Sequence, residues 1–593
     1  MQKVCRGLIA ASLLVLGLTT TSPARVAAAA PPIPRSVATG TGGAIATVDP
    51  YASRIGMRVL RRGGNAIDAA VAAAAALGVV EPYSAGIGGG GFFVAYLADR
   101  RRVVTVDGRE TAPEAFFPRV FIDPETDEPY PFAERVTSGL GVGVPGTPMT
   151  WKVALERWGT WSPADTLRPA RRLARKGFVV DETLQTQTED NAARFAQFTS
   201  TRRLFLPGGE PIQAGSVLKN KALSHTYGQM MKRGFKAFYQ GGIARDIVEA
   251  VKNPPLAPDA TFNVRPGLME RHDLDEYHAP VRRPTKIDYR GYEVYGMAPP
   301  SSGGSTIGEA LNILEGFAMG SIPREEALHF YLEASRLAFA DRGAYIGDPE
   351  YFDVPLAGLL SDGFAAERRA EIGAEAMPHP ASPGDPYPYE NDPSPSGPRP
   401  RQGADAEGPS TTHLTVSDKW GNVVSYTLTI EQTGGSGIVV PERGFLLNNE
   451  LTDFDPVPPH PNAPESGKRP RSSMSPTIIT RAGVPVVALG SPGGSTIITT
   501  VLQVTVNFLD FGMSLPEAIA APRATQRNTP TTLAEPAFLA SPERALLEAR
   551  GHAFAEIAEI GAATGIAFLG GGSVQAAAEP ERRGGGDARV ENP

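Results

Sequence analysis

Cysteine is almost missing from this sequence: Cys5 is the only one in 593 residues. No disulfide framework can be built within the chain from one such residue. Long apolar runs are missing too. The stretch from Leu8 to Leu18 is too short to cross a bilayer as a permanent helix, and no other run approaches twenty apolar residues, so no permanent membrane anchor is expected. Basic blocks are absent and the net charge is −7, which argues against nucleic acid and anionic membrane as partners. No internal repeat is present, which sets aside solenoids and propellers.

What the N-terminus has is a short targeting pattern. Lys3 and Arg6 precede the apolar run and an Ala-rich stretch follows it, so residues 1–30 read as a secretory signal cleaved near Ala30. Cys5 lies ahead of the run, is badly placed for lipid attachment and leaves with the signal. Losing Lys3, Arg6 and Arg25 with no acid takes the charge from −7 to −10. A secreted or periplasmic location is expected.

Further along, GGNAIDAAVAAAAALGVVEP (63–82) predicts an Ala-rich helix entered through a Gly-Gly-Asn turn. SAGIGGGGFFVAYL (84–97) predicts a loop and then a buried strand. No Lys-Ser/Thr follows these glycines, so they do not form a phosphate loop. Residues 102–106 predict another strand, running into VDGRETAP. Longer helical patterns fill about 150–380, such as EEALHFYLEASRLAFADR (325–342), and residues 411–593 return to strands with two or three helices. This mixture predicts an α/β sandwich.

The 33 residues 378–410 carry ten prolines, a composition expected to remain an irregular, flexible arm. The arm stops at TTHLTVSDKWGNVVSYTLTIEQ (411–432). Thr411, His413, Thr415 and Ser417 alternate with Leu414 and Val416, DKWGN (418–422) reverses the chain, and a second alternating run follows, which predicts a β-hairpin. With the turn centred on Trp420, Thr411 lies opposite Thr429, and Glu431 lies diagonal to Thr411 on the polar face. A Thr hydroxyl on an edge strand fed by a flexible arm suits an enzyme that cuts its own chain. The new α-amino group, with a pKa of about 7.7–8, then acts as base for the hydroxyl of the same residue. A surface strand that merely begins with Thr-Thr-His is the bland alternative.

NNELTDFD (448–455), KRPRSSMSPT (468–477) and LGSPGGSTIITT (489–500), together with TTHLTVSD, DGRETAP and GGNAIDAAVA, occur in an order that resembles the γ-glutamyltranspeptidase family of N-terminal nucleophile hydrolases, from about residue 35 to 590. The resemblance implies a four-layer αββα sandwich built from two autoprocessed subunits. Cleavage between Ser410 and Thr411 would give a large subunit of 31–410 and a small one of 411–593, held as a heterodimer.

By the same resemblance, Thr411 is the nucleophile, Thr429 hydrogen-bonds it, and Gly493 and Gly494 supply oxyanion-hole N–H groups. Arg109, Ser472 and Ser473 hold the α-carboxylate of a γ-glutamyl donor. Glu450 and Asp453 hold its ammonium. No metal or organic cofactor is implied. The partners implied are a glutathione-like γ-glutamyl donor and an amino acid, peptide or water acceptor.

Two departures stand out. Glu431 occupies a position where the family commonly has Asn, and only 17 residues separate Phe454 from Ser472, where some members carry a longer covering loop. The rivals are a cephalosporin or glutaryl acylase of the same superfamily and a catalytically silent secreted binding protein.

Overall fold

The computed structural model describes residues 34–391, 408 and 410–592. The expected signal (1–30) and the part of the expected arm from 392 to 407 lie outside the described residues. Two antiparallel sheets form the centre. One has six strands, in the order Asp587–Val590, Ala44–Thr47, Ser410–Ser417, Val423–Glu431, Gly90–Leu97 and Arg102–Gly108. The other has seven, in the order Val37–Gly40, Ser573–Ala578, Thr564–Gly570, Val484–Gly490, Thr477–Arg481, Tyr292–Gly296 and Thr285–Tyr289.

Helices cover both outer faces. Pro50–Arg61 and Ala66–Val80 pack on the six-stranded sheet, with Pro163–Lys176 against the latter. Gly303–Glu315, Arg324–Tyr345 and Thr496–Leu509 share the core of the seven-stranded sheet. This is the αββα order expected. The Ala-rich helix is buried along its whole length, which its small side chains permit. It starts where expected because Asn65 accepts from the Asp68 N–H and the Asp68 carboxylate accepts from the Asn65 N–H, a reciprocal cap.

The hairpin has the expected register as far as Leu428↔Thr412, after which a bulge brings Glu431 opposite Ser410. Its turn is held by Asp418, whose carboxylate accepts from the N–H groups of Trp420 and Asn422. The apolar residues Leu414 and Val416 face the helices. The polar face lies between the sheets and is fully buried, so each hydroxyl needs a partner there. Ser425 donates to the Leu489 carbonyl at 3.0 Å, and His413 bridges Thr427 at 2.8 Å and Thr415 at 3.1 Å. Burial pushes the His413 pKa down to about 3, so this imidazole stays neutral and structural.

Three expectations are corrected. Ser410–Ser417 is not an edge strand or a surface strand, because Ala44–Thr47 and Val423–Glu431 flank it. However, Ala44–Thr47 pairs only with Leu414–Ser417, so Thr411 runs past the end of that neighbour. The first part of the arm is not loose. Ala381 exchanges two hydrogen bonds with the Asn528 side chain, and the Gly384 N–H donates to Asp341. Finally, four α-helices follow residue 411 among the described residues, two of them six residues or shorter, too short to leave a periodic signal. Among the described residues no helix is long and apolar enough to cross a membrane.

Candidate active site

A small cleft opens at the start of the strand Ser410–Ser417. Thr411, Thr429, Glu431, Glu450, Asp453, Ser472 and Gly494 line it, with Met474 and Ile497 as its apolar surface. Seven residues expected from distant parts of the sequence therefore meet in one cavity. Gly493 adjoins it, while Arg109 and Ser473 stand behind the lining.

The chain is continuous through Ser410 and Thr411. The Thr411 hydroxyl lies 2.8 Å from the Ser410 carbonyl oxygen and 3.2 Å from Thr429 Oγ1. Thr429 in turn donates to the Ser410 carbonyl at 2.7 Å, and the Glu431 N–H donates to Thr429 Oγ1 at 2.9 Å. The Thr411 hydroxyl thus sits beside a peptide carbonyl that a second hydroxyl polarises. Glu431 reaches this position with φ at +78°, the left-handed region that a non-glycine residue enters at a cost of about 1–3 kcal/mol. Its carboxylate is buried and accepts from Asn449 Nδ2 and the Gly408 N–H. It therefore belongs to the cleft wall and not to the solvent side of the hairpin.

Gly493 and Gly494 have φ of +134° and +56°, a turn that side chains would strain. The Gly493 carbonyl accepts from the Thr496 hydroxyl at 2.7 Å, which fixes the turn against the N-terminus of the helix Thr496–Leu509. Neither glycine N–H finds an acceptor among the described residues. Two unpaired donors at the positive end of a helix suit a developing oxyanion.

The charged set is arranged differently from the expectation of two opposite ends. Arg109 is wholly buried, and it donates to Glu450, Asp453 and the carbonyls of Pro470 (3.0 Å) and Arg471 (2.6 Å). Burial disfavours its charge, but Glu450, Asp453 and Glu110 outweigh burial and raise its pKa above the ordinary value. Glu110 lies 3.9 Å from Arg109 Nη1, and neither of its oxygens has a hydrogen-bond partner. Burial first, then Glu450, push the Glu110 pKa well up. The two serines also separate. Ser472 lines the cleft and accepts from the Met474 N–H at 3.2 Å, whereas Ser473 accepts from Arg342 Nη2 at 2.7 Å.

One further side chain reaches Thr411. Arg583 donates to the Thr411 carbonyl at 2.7 Å and to Ser84 Oγ at 3.0 Å, and Ser84 is 3.0 Å from Ser410 Oγ. Beside it, burial pushes Glu81 up to about 7 against the pull of Arg583. An Arg 172 positions from Thr411, in the plain context ERRGGG, carries no local signal of such a contact.

Residues 52–588 match the family model described as Gamma-glutamyltranspeptidase. A glutathione hydrolase proenzyme of Bacillus subtilis (strain 168) is 41% identical over 82% of this chain and 81% of its own length. The corresponding proenzyme of Escherichia coli (strain K12) is 35% identical over 91% and 90%. Among solved structures, the cephalosporin acylase from Bacillus halodurans superposes with a TM-score of 0.82 at 28% identity, covering 97% of this chain and 99% of that one.

Proposed function

The chain belongs to the γ-glutamyltranspeptidase family, and from that premise we propose that it is an extracytoplasmic, self-cleaving γ-glutamyl hydrolase or transpeptidase with Thr411 as nucleophile. The observation that carries the proposal is the contact of Thr411 Oγ1 with the Ser410 carbonyl, polarised by Thr429. In the first step Thr411 Oγ1 attacks the Ser410 carbonyl carbon, the Ser410–Thr411 C–N bond breaks, and the proton passes to the departing nitrogen. Water then hydrolyses the ester, leaving Ser410 with a carboxylate and Thr411 with a free amine. That amine, with a pKa of about 7.7–8, serves as base for the same hydroxyl in turnover. A γ-glutamyl amide donates its acyl group to Thr411, Gly493 and Gly494 take the oxyanion, and water or an amino acid or peptide amine takes the acyl group.

The donor's methylenes fit against Met474 and Ile497, and its ammonium fits the carboxylates of Glu431, Glu450 and Asp453. Ser472, which lines the cleft, is available to its carboxylate, while Arg109 behind the lining holds Glu450 and Asp453 in place. The cephalosporin acylase likeness supports a second reading, cleavage of dicarboxylic amides. Three carboxylates lining the cleft repel an acyl group that brings a carboxylate without an amine, and this favours the γ-glutamyl reading. A denaturing gel and a γ-glutamyl anilide assay test the proposal. Purified protein should give two chains, the smaller starting at Thr411, and Thr411→Ala should remain single and inactive. A Thr411→Ala protein still cut after Ser410, in the absence of other proteases, removes Thr411 from its role.

A further inference from the structure

The Ser410–Thr411 peptide is held by more than the residues that line the cleft. Arg583 is not among those residues, yet its two terminal nitrogens reach the two sides of that peptide. Nη1 donates to the Thr411 carbonyl at 2.7 Å, and Nη2 donates to Ser84 Oγ at 3.0 Å. Ser84 Oγ is 3.0 Å from Ser410 Oγ, which gives its own proton to the Tyr83 carbonyl at 2.8 Å. A hydroxyl has one proton, so Ser410 is the acceptor in its contact with Ser84. The hydrogen bonds therefore run one way, from the guanidinium through Ser84 and Ser410 to Tyr83.

The fold fixes both Ser84 and Arg583. Glu81 ends the Ala-rich helix, its N–H donating to the Leu77 carbonyl at 2.7 Å, and the Ser84 N–H donates to the Glu81 carbonyl at 3.0 Å. The buried helix end thus sets where Ser84 stands. Arg583 has φ at +55°, in the left-handed region where a non-glycine residue persists only when its surroundings hold it. Its N–H donates to Glu559 at 2.9 Å, and its carbonyl accepts from Thr183 at 3.3 Å. Glu81 Oε2 lies 4.0 Å from Arg583 Nη2, and both side chains are largely buried. The guanidinium is in place before the peptide reacts.

We infer that Arg583, acting with Ser84, is a positioning residue for self-cleavage, one planar fork holding a residue on each side of the bond that breaks. Attack by Thr411 Oγ1 on the Ser410 carbonyl carbon requires the two residues to keep a fixed mutual orientation. Thr429 holds the carbonyl oxygen of that peptide, while Arg583 holds the next carbonyl directly and the Ser410 side chain through Ser84. Lys offers a single nitrogen and no fork, so it replaces this arrangement only in part. The inference deepens the proposed function and rests on it.

The test follows self-cleavage of freshly synthesised full-length chain on a denaturing gel. Arg583→Gln should cleave about tenfold more slowly than the parent, the scale of a hydrogen bond to a charged group. Arg583→Lys should fall between the two. Ser84→Ala should also slow cleavage, and by a smaller factor in an Arg583→Gln background than in the parent, because the two side chains reach Ser410 in series. If Arg583 only stabilises the fold, Ser84→Ala slows cleavage equally with and without Arg583, which overturns the inference. Cleavage of Arg583→Gln or Ser84→Ala at the parent rate also overturns it and leaves the proposed function intact. Should Arg583→Gln fail to fold, the rates of Arg583→Lys, Ser84→Ala and their double variant carry the same test. A parent that never cleaves removes the proposed function and this inference with it.

Discussion

Replacing Arg109 by Ala removes the guanidinium that three buried carboxyl groups surround, and the consequences can be worked from the contacts. The guanidinium donates to Glu450 and Asp453, whose side chains are 1% and 4% exposed, and Glu110 stands 3.9 Å away with no other partner. Removing one member of a buried ion pair costs about 3–5 kcal/mol, because the remaining charge is left uncompensated. Without Arg109, burial and mutual repulsion raise the carboxyl pKa values in the folded state. Raised carboxyl pKa values mean that the folded protein binds more protons than the unfolded one, so stability falls as pH rises from about 4 toward neutrality.

The deficit relative to the parent should therefore be near its full size at pH 8 and much smaller at pH 5. Denaturant titrations of both proteins at the two pH values measure it directly. Self-cleavage should persist, since none of the Ser410, Thr411 and Thr429 contacts involves Arg109, while kcat/KM for a γ-glutamyl donor should fall by about thirtyfold or more. A deficit that is equal at both pH values, or larger at pH 5, would refute the account of Arg109 as the counter-charge of this cluster.

Thr429→Val keeps the shape but removes the hydroxyl that donates to the Ser410 carbonyl, and it should slow self-cleavage by about a hundredfold, followed as the loss of the single chain on a gel; processing at the parent rate would exclude that role. Glu431→Asn removes a carboxylate that favours the protonated Thr411 amine, so the acidic limb of kcat/KM should move to lower pH and the preference for γ-glutamyl over glutaryl donors should weaken. An unmoved limb with an unmoved donor ratio assigns the amine site to Glu450 and Asp453 alone. Gly490→Ala places a methyl group on the His413 ring and should cost about 1–3 kcal/mol of stability. Most of that cost should vanish in a His413→Ser background, and an additive double variant would show that the two positions do not meet.

The hairpin was legible because its alternation and the DKWGN turn set its register locally, and that register put Thr411 beside Thr429. The helix at Ala66 was legible through Asn65 and Asp68, three positions apart. The burial of the polar strand face was not legible, because alternation says which residues share a face and not what that face meets. Only the second sheet, through Leu489 and Thr564, makes it interior. The bulge at Glu431 is a two-residue event without a composition signal. The pairing of Arg109 with Glu450 and Asp453 spans more than 340 positions, a separation at which residue type alone does not choose between ligand and neighbour as the partner of each charge.

On the proposed function, the bulge would link cleavage to turnover through Thr429. In the uncut chain the Thr429 hydroxyl has one proton, and it goes to the Ser410 carbonyl at 2.7 Å rather than across the 3.2 Å to Thr411. The Glu431 N–H occupies a lone pair of the same oxygen, an arrangement that the left-handed Glu431 backbone creates. Once the bond is cut and Ser410 withdraws, Thr429 loses its acceptor and Thr411 Oγ1 is the hydroxyl facing it. The donor that polarised the peptide carbonyl would then be available to the proposed nucleophile. On the proposed function one hydroxyl would serve both steps, its orientation held by the Glu431 N–H.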